Sequence, residues 1–115
     1  MIATPQETFE RHVAALLAGD VDAIAAHYTE DALVLTPTGQ YRGRAAIREL
    51  YAGLVGALPD LSVEAQVTAF ADNALLLHWT ADSTLNTILD GVDTFVFDQG
   101  AISLQTISCT MTPKA

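Results

Sequence analysis

One carboxylate of the 115-residue chain lies in an apolar setting. Asp93 alternates with Phe95 and Phe97, so in a β-strand all three side chains share one face. A carboxyl group beside two phenyl rings is poorly hydrated, which raises its pKa and makes it usable as a general acid or base near neutral pH. The alternative is a carboxylate satisfied by backbone groups or by a buried arginine. We predict that Asp93 is the principal acid/base group of a pocket.

Two histidines are candidates to act with Asp93. His78 alternates with Thr80 and Asp82, and on that face it either shuttles a proton or is a half-buried, hydrogen-bonded side chain. We predict His78 as the second catalytic residue. His12 lies on the apolar stripe of a helix, where it lines the pocket or is a satisfied core residue. The three histidines of the chain lack metal-ligand spacing, so we predict no metal site.

Further side chains are expected to bind the substrate without reacting with it. Gln105 either donates a hydrogen bond inside the pocket or faces water at an edge. The chain contains no glycine-rich phosphate loop and no serine nucleophile elbow, so we predict no cofactor. The predicted substrate-binding residues are His12, Thr36, Tyr51, Thr80, Asp82, Phe95, Gln105 and Ile107.

Three helices are predicted to precede the strands that carry these residues. Residues 4–18 form the first, with Thr4 as N-cap and Glu7 completing a capping box. A second, short helix follows Asp20 and includes Tyr28 in its apolar stripe, and a third follows Gly43. A short strand at residues 32–36 separates the second helix from the third.

The second half of the chain changes to a period of two, which is typical of strands. Strands are predicted from residue 61 to 69, 74 to 82, 87 to 98 and 101 to 110, so the fold class is α+β with an antiparallel meander. Several strands are apolar on both faces, and three helices cover one face only. We therefore predict a homodimer through the outer face, with Leu75, Leu77, Trp79 and Leu104 in or near the contact.

Composition excludes several classes of partner. The chain has 14 acidic and 5 basic residues and a formal net charge of −9, which disfavours nucleic acid and anionic membrane surfaces. No uncharged run reaches the roughly 18 residues of a transmembrane helix. Cys109 is the single cysteine, so no internal disulfide forms. We expect one domain over residues 1–115 in a reduced, cytoplasmic setting.

Three segments in this order resemble the nuclear-transport-factor-2-like superfamily, in particular its SnoaL-like and ketosteroid-isomerase-like members. They are AGDVDAIAAHYTEDALVL (18–35), GRAAIRELY (43–51) and GVDTFVFDQGAIS (91–103). The resemblance implies a cystatin-like cone, in which three helices pack on a curved antiparallel sheet around an apolar pocket. It also implies a dimer through the outer sheet face, and it covers nearly the whole chain.

Only some of the functional residues of these related enzymes have a matching residue in this chain. Thr36, before Pro37, stands where ketosteroid isomerases have their carboxylate base, and His12 stands where they have a tyrosine donor. Asp93 matches their second acid and also the acid/base aspartate of SnoaL-like cyclases. Because Thr36 cannot serve as a base at neutral pH, steroid isomerisation by that mechanism is disfavoured.

Two functions follow from these residues. The first is a cofactor-independent acid/base enzyme of the isomerase, cyclase or epoxide hydrolase type, acting on a small hydrophobic metabolite. The second is a non-catalytic small-molecule-binding or dimerisation domain that has kept the fold and lost the reaction. Convergence of Asp93 and His78 on one pocket favours the enzyme, and an arginine locked to Asp93 favours binding.

Overall fold

Local sequence signals begin and end the first helix in the computed structural model, which describes residues 2–115. Helix α1 (Pro5–Ala18) starts after Thr4, whose Oγ1 accepts a hydrogen bond from the Glu7 N–H at 3.1 Å. The Glu7 carboxylate accepts the Thr4 N–H at 2.9 Å, so the predicted capping box is confirmed. Gly19 ends the helix in a left-handed conformation with φ of 68°.

The other two helices follow the predicted caps, with one correction. Helix α2 (Val21–Ala26) is capped by Asp20, and helix α3 (Arg44–Ala57) follows Gly43. Tyr28 does not belong to the stripe of α2 as predicted. It is the first residue of a strand and is fully buried, because the chain extends immediately after the short second helix.

Seven strands form one sheet within the described residues. They are β1 (Tyr28–Thr36), β2 (Gly39–Arg42), β3 (Ser62–Ala71), β4 (Ala74–Asp82), β5 (Asn86–Asp98), β6 (Ala101–Ser108) and β7 (Met111–Pro113). The order is β2-β1-β6-β5-β4-β3, with β7 paired to β5. Neighbouring pairs are antiparallel except β1 and β6, which run parallel. The sheet is therefore mixed, and the prediction of a purely antiparallel sheet is wrong at this pair.

The sheet curves into an open cone around the helices. Its register shifts between Ala65 and Val67 on β3, between Trp79 and Ala81 on β4, and near Phe97 on β5. Such irregularities bend strands and increase their twist. The concave face packs against the helices, and Phe9 of α1 meets the ring of Phe95 edge-on at 5.9 Å between centroids. The main core lies between these two layers.

The two faces of β4 are reversed relative to the dimer prediction. Leu75 and Leu77 are buried in the main core, and Trp79 packs against it from the same face. These three residues point inward and are not available to an interface. Leu104 is the member of the predicted contact that lies on the outer face, since its neighbour Gln105 is fully buried. Alternation located the two faces, but not which one the helices cover.

No helix within residues 2–115 has the length and apolar character needed to cross a bilayer.

Candidate active site

Asp93 lies on the inner face of β5 and is 6% exposed. The indole Nε1–H of Trp79 donates to its Oδ1 at 2.9 Å, and the amide Nε2–H of Gln105 donates to its Oδ2 at 2.9 Å. Each carboxylate oxygen therefore accepts one hydrogen bond from a neutral donor. A carboxylate has about four acceptor positions, so two remain for a ligand.

The surroundings of Asp93 raise its pKa to about 6. Burial is the largest cause, because an apolar environment disfavours the charged form. The hydrogen bonds from Trp79 and Gln105 act in the opposite direction, since both donors favour the carboxylate. The result is a group that changes its charge close to neutral pH, which general acid/base chemistry requires.

A buried polar network extends from Asp93 through Gln105, which is fully buried on β6. The Gln105 Nε2 also lies 3.0 Å from the Tyr51 hydroxyl, and its Oε1 accepts a hydrogen bond from Tyr28. The two tyrosine hydroxyls are 3.0 Å apart. Burial raises the pKa of both phenols, so they remain neutral, and their contacts hold the Gln105 amide with one N–H toward the carboxylate and the other toward the Tyr51 hydroxyl.

His12 occupies the end of this network. It is 4% exposed, and its Nε2 lies 3.5 Å from the Tyr51 hydroxyl. Burial, with a smaller contribution from His27, lowers the pKa of His12 to about 3. The imidazole is therefore neutral at physiological pH, and it cannot supply a positive charge to balance Asp93.

An apolar cavity of about 220 Å³ opens beside Asp93. Residues from α1, α3 and the inner sheet face line it, including Phe9, Leu16, Leu54, Leu77, Trp79 and Phe95. The lining residues with titratable side chains are Asp93, His12, Tyr51 and Cys109. Within residues 2–115 no lysine or arginine lines the cavity. An ionised Asp93 therefore faces the ligand without a neighbouring cation.

Five of the ten predicted site residues line this cavity, and a sixth supports it. The five are His12, Tyr51, Asp93, Phe95 and Ile107. Gln105 is buried behind Asp93 and bonds it directly, so its position is inside the fold rather than at an edge. The elements that bring them together are α1, α3, β5 and β6.

His78 does not meet Asp93. It lies on the outer face of β4, is exposed, and pairs with Val92 across the strands. Leu77 and Trp79, its neighbours in sequence, occupy the inner face instead. The expected convergence of His78 and Asp93 on one pocket is therefore wrong. Within residues 2–115 no arginine is bonded to Asp93, whose carboxylate accepts hydrogen bonds from Trp79 and Gln105 instead.

Thr80 and Asp82 also lie away from the cavity. Both line a shallow surface groove between β3, β4 and β5. The Asp82 carboxylate is paired with Lys114 at 2.8 Å and accepts a hydrogen bond from Thr87 at 3.1 Å, and these contacts lower its pKa. These two expected substrate-binding positions do not contact the main pocket because they share the outer face with His78.

Thr36 is the remaining misplaced candidate. It ends β1, and its hydroxyl lies 3.4 Å from the Gly39 carbonyl oxygen in the turn to β2. The hydroxyl also lies 3.3 Å from the amide nitrogen of Thr38, which donates to it. Thr36 does not line the cavity. Its hydroxyl is occupied by the local turn.

Two side chains of this site were not predicted from the sequence. Trp79 was assigned to the outer face, and Tyr28 to a helix stripe. The available signal for Trp79 is its partner across the strands, Gly91, which leaves room for a large ring. For Tyr28 the signal is its position one residue after a short helix, where a strand can begin.

Known proteins share this architecture. The chain matches the SnoaL-like domain family over residues 9–105. Among solved structures, SalBIII superposes with a TM-score of 0.80 at 21% identity, covering 96% of this chain and 95% of that one. SalBIII is described as an epoxide hydrolase/cyclase-like enzyme with a role in pyran ring formation in the polyether salinomycin.

Two further structures are of proteins whose function is unknown. A SnoaL-like protein from Burkholderia thailandensis E264 has a TM-score of 0.75 at 18% identity, covering 91% of this chain and 93% of that one. An NTF2-like protein from Cytophaga hutchinsonii ATCC 33406 has a TM-score of 0.78 at 13% identity, covering 96% and 93%. At these identities the likeness establishes the fold. With the family match over most of its length, this chain belongs to the SnoaL-like domain family of the nuclear-transport-factor-2-like superfamily.

Proposed function

We propose that the protein is a cofactor-independent acid/base enzyme, in which Asp93 moves a proton on a small, uncharged, hydrophobic substrate. The observation that carries the proposal is one carboxylate, 6% exposed and with a pKa of about 6, at the wall of an apolar cavity. Near pH 7 most of it is ionised, and its environment makes it a stronger base than an exposed aspartate.

The number of titrating groups narrows the reaction type. Hydrolysis of an epoxide needs a base for the attacking water and an acid for the epoxide oxygen. Asp93 is the lining group with a pKa near neutrality, because that of His12 is about 3 and burial raises those of Tyr51 and Cys109. A single carboxylate can instead take a proton from one atom and return it to another. Isomerisation, which moves one proton between two atoms of the substrate, is therefore the reaction type that a single titrating group supports most simply.

The proton balance of such a step is complete without a cofactor. The ionised Asp93 accepts a proton from a C–H bond next to an electron-withdrawing group, and the electron pair moves into the conjugated system. The protonated Asp93 then returns a proton to a different carbon or to an oxygen. Trp79 and Gln105 hold the two carboxylate oxygens throughout, and the apolar walls hold the substrate beside them.

The second candidate is a non-catalytic binding domain. It is favoured by the hydrogen bonds that both Asp93 oxygens already accept, and by Thr36 in place of a base. In that case the carboxylate orients a ligand that carries a hydrogen-bond donor, and no bond to hydrogen is broken.

Hydrogen–deuterium exchange separates the two candidates without knowledge of the natural substrate. The probes are small cyclic enones in D₂O, with exchange at the acidic carbon followed by NMR and binding followed by Trp79 fluorescence. We expect the native chain to catalyse exchange, and Asp93→Asn to bind the same probe with exchange reduced by about 10²-fold or more. His78→Asn is the matched control on the outer face. Binding without catalysed exchange would favour the binding domain, and equal exchange by Asp93→Asn would exclude the proposed role.

We also propose that a second copy of the chain covers the outer face of the sheet. The exposed side chains of Leu35, Val67 and Leu76 lie on this face with the half-buried Val92 and Leu104. All five are uncharged in a chain of net charge −9, so this region can meet its copy without the repulsion expected elsewhere. This surface replaces the one predicted around Trp79.

A further inference from the structure

Among the glycines that the structure describes, Gly91 leaves the least room for a side chain, because the Trp79 indole lies over it. The two residues are direct partners across β4 and β5. A Cβ atom at Gly91 would lie 2.2 Å from Cε2 and 2.3 Å from Cδ2 of the Trp79 indole. Atoms do not approach so closely, so the ring occupies the space that any other residue would fill.

The backbone itself does not require glycine at this position. The described glycines with positive φ are Gly19, Gly43 and Gly100, and Gly91 is not among them. Glycine also weakens a strand interior, because it packs no side chain and loses more conformational freedom on folding. The feature that requires Gly91 is therefore the ring lying over it.

The path of that ring ends at Asp93. Asp93 lies two residues after Gly91 on β5, on the same face, and both are buried. The indole crosses from β4 over Gly91, and its Nε1–H reaches the Asp93 Oδ1 at 2.9 Å. The other carboxylate oxygen, Oδ2, accepts a hydrogen bond from Gln105.

We propose that Gly91 is a positioning residue for Asp93: its missing side chain lets the Trp79 indole lie across β5 and hold the carboxylate oxygen. The functional meaning of this contact rests on the proposed acid/base role of Asp93. A methyl group at position 91 displaces the ring from β5, toward the cavity that Trp79 lines. Asp93 then keeps the hydrogen bond from Gln105 and loses the one from Trp79.

The expected consequence is a change in Asp93 that ordinary packing damage does not produce. The Trp79 hydrogen bond lowers the pKa of Asp93, so its loss raises that pKa further. A glycine needed for packing alone would change the stability of the fold and leave the titration of Asp93 in place.

The experiment compares Gly91→Ala, Trp79→Leu and the double variant by ¹³C NMR titration of the Asp93 carboxyl carbon. We expect both single variants to raise its pKa by at least about half a unit, threefold in proton affinity, and the double variant to add nothing. Gly53→Ala on α3 is the matched control, because a Cβ there meets no atom within 4 Å. It should leave the titration unchanged.

A second readout keeps the proposal testable if Gly91→Ala folds poorly. Trp79→Leu removes the ring that the new methyl group would meet, so the double variant should fold, and Gly91→Ala should destabilise that background less than the native one. The proposal would be overturned if Gly91→Ala lowered the free energy of unfolding equally in both backgrounds. An unchanged Asp93 pKa in a folded Gly91→Ala variant would also overturn it. Neither measurement uses a substrate, so a failure here is distinct from a failure of Asp93 in the exchange assay.

Discussion

The two faces of the sheet at strand β4 place aspartates in different environments and so give them different chemistry. On the inner face, Trp79 donates to a carboxylate that is 6% exposed, beside an apolar cavity. On the outer face, Asp82 is exposed and its carboxylate is paired with Lys114. Burial raises the pKa of Asp93, whereas contacts at the surface lower that of Asp82. The face, and not the residue type, decides which aspartate can exchange protons near neutral pH.

The largest expected effect is on the catalytic rate, which should depend on the aspartate of the inner face and not on that of the outer face. Asp93→Asn keeps the shape of the side chain and removes its titration, so exchange or turnover should fall by about 10²- to 10⁴-fold. The corresponding change on the outer face, Asp82→Asn, should leave the rate within about twofold, since Asp82 is outside the cavity. Rates of both variants at pH 7 give the comparison. A similar loss in both would remove the distinction between the faces.

Ionisation of Asp93 should lower the free energy of unfolding, although catalysis requires it. The pKa of Asp93 rises from an ordinary 3.8 to about 6 on folding, so its favourable contribution is complete below pH 3.8 and is lost as the pH rises through 6. Between pH 3.5 and pH 8 the native chain should therefore lose about 3 kcal/mol of unfolding free energy through this group, and Asp93→Asn, which does not titrate, should lack this loss. Urea unfolding of both chains at the two pH values measures the difference, and an equal pH dependence in the two chains would contradict the buried-charge account.

His12 should make the fold sensitive to acid. Its pKa falls from 6.5 to about 3 on folding, so its contribution to stability is complete above pH 6.5 and is lost as the pH falls toward 3. Between pH 8 and pH 5 it should cost about 2 kcal/mol. His12→Gln cannot be protonated and should therefore lose about 2 kcal/mol less unfolding free energy than the native chain between pH 8 and pH 5, as measured by urea unfolding. His78→Gln on the outer face is the control, and a reduced loss in that variant alone would contradict the assignment.

The smallest expected effect concerns the outer face and its proposed second copy. Leu76→Asp places a charge on an exposed apolar position and should weaken self-association by about tenfold or more, roughly 1.4 kcal/mol. Sedimentation across a concentration series should show a native species of twice 12.2 kDa and an earlier dissociation of the variant. The Asp93 titration should stay in place. A native monomer at micromolar concentration would remove the proposed dimer.

The sequence predicts much of the fold because its local signals agree with one another. The capping box at Thr4 and Glu7 places α1, and the period of two places β4 from Ala74 to Asp82 without error. The parallel pairing of β1 with β6 could not be predicted, because alternation marks a strand but not its neighbour. The short strands β2 and β7 give too few residues for a period to be recognised.

The site residues of β5 could be predicted because the pattern of that strand alone shows which side chains share the inner face. Gly91, Asp93, Phe95 and Phe97 share the inner face of β5, as their spacing indicates. On β4 both faces are apolar, so hydrophobicity could not distinguish them and His78 was placed with Asp93. The choice depends on a contact between strands, in which the Trp79 indole lies over a glycine and reaches a carboxylate.

The most direct test of the account is the ionisation of Asp93 itself. A chain with ¹³C-labelled aspartate carboxyl groups gives one titration curve for each aspartate, and Asp93→Asn identifies the curve that belongs to residue 93. The account predicts a midpoint at about pH 6 for Asp93, above that of the surface-paired Asp82. A midpoint near 3.8, the ordinary value for an aspartate, would mean that burial does not outweigh the hydrogen bonds from Trp79 and Gln105, and it would contradict the role of Asp93 as the acid/base group of the cavity.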